Sequence, residues 1–193
     1  QMAELALHTE TDELGISAGF QDRYVIAFEG VVYMDFTGKE HLREDDPYGK
    51  VERLVVDEIP FFLALGMKPK SSAIFHNPLR ERFLQGDKVV KEYMDRIADL
   101  ALQGKEYLLN GDWTRLGELM NKNTQLRNEV SPPIKKDQKM IEMALRYGAL
   151  GAKVAGSGGA VIILTEDEDI RNKMIKKCGI YQPKIALPET KEE

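Results

Sequence analysis

From Asp87 onward apolar residues return at steps of three and four. Val89, Val90, Tyr93, Met94, Ile97, Ala98, Leu100 and Ala101 predict one long amphipathic helix. "NGDW" interrupts it, and Asp112 reads as the N-cap of a second helix with Trp113, Leu116, Leu119, Met120 and Leu126 along one side. Ser131-Pro132-Pro133 ends that helix, because consecutive prolines cannot continue one. A third helix is expected from near Asp137 to Gly148, with Ile141, Ala144 and Leu145 inward. The run Val161 to Leu164 is a predicted strand. Thr165-Glu166-Asp167-Glu168 then has the spacing of a capping box and opens a helix through Ile170, Met174 and Ile175 that stops at Gly179. "IYQPKIAL" reads as a last strand and "PETKEE" as a solvated tail.

The first third has a different rhythm. "LGISAGFQDRYVIAFEGVVYMDF" is rich in β-formers and glycine, and its pattern suggests a hairpin turning at Glu29-Gly30. A short helix from Asp22 to Phe28 followed by a strand from Val31 to Phe36 fits nearly as well. "TGKEHLREDDPYGK" is an exposed loop, "VERLVVDEIP" and "FFLALG" are strands, and "MKPKSSAIFHNPLRERF" is a strand and connection in which "RERF" starts a solvated helix. Tyr33 and Met34 belong to the core. Strands and helices alternate without a uniform βαβ rhythm, so the class is α+β. At the N-terminus Met2, Leu5 and Ala6 are already in helical phase with no capping residue before them. The chain therefore reads as a piece of a longer protein.

Composition narrows the function classes. The 193 residues are 42% hydrophobic and 31% charged with a net charge of −5, and no basic stripe exists to neutralise phosphates, which argues against a nucleic-acid partner. No apolar run is long enough to span a bilayer and no signal-peptide pattern opens the chain, so no membrane partner is expected. Cys178 stands alone, which fits a reducing, cytoplasmic compartment. His8, His41 and His76 are scattered without ligand spacing, so no zinc site is expected.

Two stretches could carry chemistry. In Gly156-Ser157-Gly158-Gly159-Ala160 the lack of side chains makes either a tight turn or a place where backbone N–H groups converge on an anion. In "GISAGFQDR", Asp22 follows the small residues Ser17-Ala18-Gly19 and sits amid apolar neighbours, as a helix cap or as a partly buried carboxylate.

"SAGFQDR", "GVVYMDF", "ELMNKN" and "GALGAKVAGSGGAVIIL", taken together, resemble the later part of a GHMP-superfamily small-molecule kinase. Within that superfamily "LGISAGFQDR", "EGVVYMDF", "RERFLQGDKVV", "GELMNKNTQLR" and "GSGGAV" are most similar to the glucuronokinases, from residue 2 to about 187. Lys153, Gly156, Ser157, Gly158 and Gly159 match the superfamily's third motif, while Ala160 and Val161 replace its later glycines.

The resemblance implies that residues 1–60 finish a first, catalytic domain and that residues 61–193 form a ferredoxin-like domain with helices on an antiparallel sheet. It implies phosphate transfer from ATP, with Mg2+, to the anomeric hydroxyl of D-glucuronate. Asp22 would then be the catalytic base, and Gly156 to Gly159 a nucleotide loop kept free of bulk. A uronate needs a cation, for which Arg23 and Arg127 are candidates beside the alternative of ordinary surface charges; Asn123 lies four residues before Arg127. Gln21 either bonds a sugar hydroxyl or fixes the turn. A P-x-x-x-G-L-G-S-S-A-like loop, which in that superfamily wraps the ATP phosphates, is not found in these residues. The magnesium ligands are likewise expected before Gln1. The chain alone is therefore expected to be inactive and to need an N-terminal half, covalently joined or as a second chain. Rival readings are a galactokinase-like or heptose-phosphate-kinase-like enzyme, or a non-catalytic ferredoxin-like partner module.

Overall fold

The computed structural model describes residues 2–15, 19–38, 48–56, 58–66, 79 and 81–181. Ser17, Ala18, most of the polar loop with His41, the stretch 67–78 with His76, Arg80, and the last strand beyond Tyr181 lie outside the described residues. The chain divides into two units, with residues 1–57 in one and residues 58–183 in the other.

In the first unit, helix α1 (Met2–His8) runs into a π-helical turn, Thr9–Glu13, which the Leu14 N–H closes onto the Thr9 carbonyl at 3.1 Å. Its phase differs from the sequence reading. Ala3 and Leu7 are buried, whereas Met2, Leu5 and Ala6 face out. The reason is polar: Glu4 points inward to accept from the Tyr24 hydroxyl, and this sets the inner face. Helix α2 (Gln21–Phe28) ends at Glu29 and Gly30, both at positive φ (58° and 67°), and strand β1 (Val31–Asp35) follows. The helix-then-strand alternative is thus the observed one, and no hairpin turns at Glu29-Gly30. Strand β2 (Lys50–Leu54) pairs antiparallel with β1, with Tyr33 opposite Glu52, and Tyr33 and Met34 are half-buried.

Tyr24 organises this unit. Its hydroxyl donates to Glu4 and accepts from the Gly49 N–H at 2.9 Å, and its ring meets Phe36 edge-on at 5.2 Å. Burial, aided by the Glu4 carboxylate, pushes the phenol up to about 12.

The second unit runs β3 (Phe61–Leu65), α3 (Lys88–Leu109), α4 (Trp113–Val130), α5 (Lys135–Arg146), β4 (Gly151–Val154), β5 (Ala160–Leu164), α6 (Glu168–Ile175) and β6 (Gly179–Tyr181). Its four strands lie in the order β4-β5-β3-β6 with every neighbouring pair antiparallel. This is the split β-α-β-β-α-β arrangement of ferredoxin-like folds, with additional helices in the first crossover. Phe62 and Ala64 of β3, Ala152 and Val154 of β4, and Val161 and Ile163 of β5 form one face. Met140, Ile141 and Ala144 of α5 and Ile170 and Met174 of α6 pack against it. Asp87 and Asp112 cap α3 and α4, accepting from Val89 N at 2.9 Å and Arg115 N at 3.1 Å. Arg82, in the "RERF" stretch, pairs with Asp87 at 2.8 Å.

Three features depart from the sequence reading. Helix α5 starts at Lys135, two residues early, so Asp137 lies in its first turn and is fully buried, whereas Leu145 faces out. The cap of α6 is Asp167, which accepts from Asp169 N at 2.8 Å; the Thr165 hydroxyl instead accepts from Asp167 N. Strand β4 occupies a stretch that carried no strand signal.

Candidate functional site: a glycine loop between two charged groups

The turn from β4 to β5 is built from glycine conformations. Gly156, Gly158 and Gly159 have φ of 55°, 126° and 88°. The Ala155 N–H bonds the Ala160 carbonyl at 2.9 Å across its base, and the Gly158 N–H bonds the Ala155 carbonyl at 3.2 Å. At its outer end a Cβ on Gly156 would meet nothing within 4 Å. Among the described residues the Ser157 side chain has no hydrogen-bond partner. That end is open, and it can present a hydroxyl and backbone N–H groups to a ligand.

The inner end is filled by the protein. Gly159 N–H donates to Asp137 Oδ2 at 2.8 Å, and a Cβ on Gly158 would lie 2.9 Å from the same oxygen. Gly66, just past β3, donates its N–H to the Gly159 carbonyl at 2.7 Å, an approach so close that a Cβ on Gly66 would lie 3.0 Å from that oxygen. The convergence of N–H groups expected for an external anion is, at Gly159, satisfied by an internal carboxylate.

Helix α4 braces the loop from the other side. β4 is an edge strand, and α4 covers its free edge with side chains rather than a further strand. Asn121 donates to the Leu150 carbonyl at 3.0 Å and accepts from Ala152 N at 3.1 Å, while Thr124 donates to the Ala152 carbonyl at 2.9 Å. Gly117 and Gly151 permit this closeness, since a Cβ on either would come within 2.6 Å of the other element's backbone. One turn further along, Arg127 donates to the Gly156 carbonyl at 2.8 Å.

Around Arg127 lie Tyr93 of α3, Asp137 of α5 and Lys153 of β4. Burial lowers the Arg127 pKa, which the charges of Tyr93 and Asp137 oppose. Burial, with Arg127 repelling, draws the Lys153 ammonium below its ordinary value, and burial raises Tyr93. Lys153 points away from the sheet's core face, between the inward Ala152 and Val154.

The other sequence-predicted residues lie elsewhere. Asp22 sits in the first turn of α2 with its side chain 84% exposed, 3.6 Å from Arg23; it is neither the N-cap, which is Phe20, nor buried. Gln21 beside it is exposed. Arg23 pairs with Glu10 and donates to the Gly19 carbonyl at 3.2 Å. Asn123 is half-buried and lies one turn before Arg127 on α4, but the bonds to the edge of β4 come from Asn121. Sequence reasoning missed Asp137, Asn121, Thr124 and Gly66. The "ELMNKN" and "TQLR" stretches flagged the right helix without separating its two asparagines. No group of three or more His, Cys, Asp and Glu able to hold a metal ion occurs among the described residues, and no described helix is long and apolar enough to cross a membrane.

Comparison with known proteins agrees with this architecture. Residues 105–182 match the family described as GHMP kinases C terminal. The chain is 35% identical over 188 residues to the probable glucuronokinase 2 of Arabidopsis thaliana, covering 93% of this chain and 50% of that protein. It is 34% identical over 169 residues to glucuronokinase 1 of the same plant, covering 86% of this chain and 46% of that one. In fold it is similar to the L. major mevalonate kinase crystallised with R-mevalonate, with a TM-score of 0.69 at 22% identity over 95% of this chain and 58% of that one. The chain spans about half the length of the curated relatives it matches. With the split β-α-β-β-α-β sheet and the glycine loop between β4 and β5, these matches identify residues 105–182 as a GHMP kinase C-terminal domain.

Proposed function

We propose that this chain is the C-terminal portion of an ATP-dependent sugar kinase that phosphorylates the anomeric hydroxyl of D-glucuronate. The observation that carries the reading is the identity to two glucuronokinases over most of the chain, joined to a glycine loop whose outer end is open. In the reaction the anomeric oxygen attacks the γ-phosphorus of ATP, the bond to the β-phosphate bridging oxygen breaks, and ADP leaves. Asp22 accepts or orients the hydroxyl proton, a role that suits a carboxylate reachable from solvent at the start of a helix. Ser157 and the N–H groups of the loop's outer end serve the nucleotide, with no side chain at Gly156 to obstruct it. Gln21 and Arg23 are candidates on the sugar side. Arg127, bonded to the Gly156 carbonyl, acts through the loop, and Asn123 remains a weaker candidate.

The described carboxylates offer no cluster for Mg2+. The main phosphate cradle and the metal ligands are proposed to come from an N-terminal half, covalent or as a second chain.

The test is ADP release by the assembled protein with D-glucuronate, galacturonate and galactose, each with wild type and Asp22→Asn. Glucuronate-dependent turnover that falls about 10²–10⁴-fold in the variant supports the reading. Turnover with galactose but not glucuronate favours a galactokinase-like enzyme. Unchanged turnover in the variant removes Asp22 as the base, and no turnover with any sugar favours a non-catalytic module.

A further inference from the structure

Two acidic side chains are buried among the described residues, Glu4 and Asp137. Glu4 is met by the Tyr24 hydroxyl. Asp137 is 0% exposed, yet only its Oδ2 is bonded, to the Gly159 N–H; Oδ1 has no hydrogen-bond partner among the described residues. Burying a carboxylate for one hydrogen bond and the attraction of Arg127 is costly, and buried charges are often replaced by apolar residues of similar size at no loss of stability. Stability alone does not account for an aspartate here.

What the carboxylate does is hold the loop. It fixes Gly159 through its N–H, excludes any side chain from Gly158, and lies against Gly66, which bonds the Gly159 carbonyl. Arg127 holds the opposite end through the Gly156 carbonyl. Anion on the Gly159 N–H and cation on the Gly156 carbonyl hold the four residues Gly156 to Gly159 at their two ends, and the part left open is Gly156-Ser157. We propose that Asp137 is the positioning residue of the glycine loop, an internal anion that occupies Gly159 and thereby fixes Gly156 and Ser157 facing outward. The consequence for turnover rests on the kinase reading above; the structural claim does not.

Backbone amide hydrogen exchange of the full chain tests the claim without any activity. In wild type the Gly159 amide is expected to be protected, and Asp137→Ala is expected to lower that protection about 100-fold while Ile163 and Ala152 keep theirs. Asp137→Asn retains an acceptor oxygen and is expected to keep Gly159 protected. An unprotected Gly159 in wild type, or one equally protected in a folded Asp137→Ala, overturns the proposal. If Asp137→Ala does not fold, Asp137→Asn decides: selective retention at Gly159 supports the role, and a uniform loss across the core makes Asp137 a packing residue and overturns it. In the assembled protein Asp137→Ala is expected to lower kcat about 100-fold with the sugar KM little changed, as for a displaced reaction partner; unchanged kcat overturns the positioning role. Wild type without phosphotransfer would sink the kinase reading and leave the exchange result to judge Asp137.

Discussion

Gly156 and Gly158 stand two apart in one loop and are constrained by different things. At Gly156 only the backbone is demanding, since φ is 55° and the space beyond is open. Alanine there is expected to cost about 1 kcal/mol, the ordinary penalty of the left-handed region. At Gly158 φ is 126° and a Cβ would lie 2.9 Å from the Asp137 carboxylate. Alanine is expected to cost about 3 kcal/mol from strain and overlap together. Urea unfolding of the two variants checks this, and equal midpoints would show that the loop yields at Gly158. The sequence displays both glycines and hides the difference. An aspartate in a helix's first turn reads as a favourable charge at a helix N-terminus, and its role depends on a loop 22 residues later.

Tyr24 offers a second test at this scale. Its folded-state pKa of about 12 lies above the unfolded value near 10, so the folded protein holds the phenolic proton more tightly. The stabilisation is complete below pH 10 and is lost as the pH rises toward 12. Tyr24→Phe is expected to lack that component of the alkaline loss, measured by denaturant midpoints between pH 9 and 12. An identical alkaline profile in the variant would mean that another group governs it.

At the scale of elements, the joint between α4 and β4 determines where the loop sits. Asn121 bonds both a carbonyl and an N–H of the strand's outer edge, as a neighbouring strand would. Asn121→Ala leaves both groups unpaired and is expected to cost about 2 kcal/mol, with faster exchange at Ala152. Asn123→Ala is expected to stay within about 0.5 kcal/mol of wild type. Equal effects would mean that α4 is held by packing alone. This joint also explains which elements the sequence revealed. The helices α3 and α4 were legible because acidic caps and two prolines mark their ends. Strand β4 was not, because "GAKV" has neither β-branched alternation nor apolar length, and one edge of it is satisfied by helix side chains. The helix and strand around Glu29-Gly30 were ambiguous for a similar reason: glycine after a polar residue suits either a hairpin or the end of a helix.

At the scale of the molecule, residues 58–183 contain everything that shapes the loop. The Pro60 carbonyl accepts from Thr165 N at 2.8 Å at the start of the segment, and β6 closes the sheet near its end, so cutting at these bounds severs no described sheet bond. The four strands, the two helices on the core face and the Asp137 and Arg127 contacts all lie inside it. This segment expressed alone is expected to unfold in one cooperative transition and to keep slow exchange at Ala152, Ile163 and Gly159. Among the described residues, segment 1–57 contains two short helices and a two-stranded sheet, an arrangement too small to be stable unaided, and it is expected to stay largely unfolded by circular dichroism. The resemblance expects a division at residue 60 without saying which side folds by itself; the buried core around Phe62 and Ile163, which lies wholly after that point, is the reason to expect it of the second segment. If 58–183 proves molten while the full chain is cooperative, the loop's geometry depends on residues 1–57, and Asp22 and the glycine loop must be treated as parts of one folding unit.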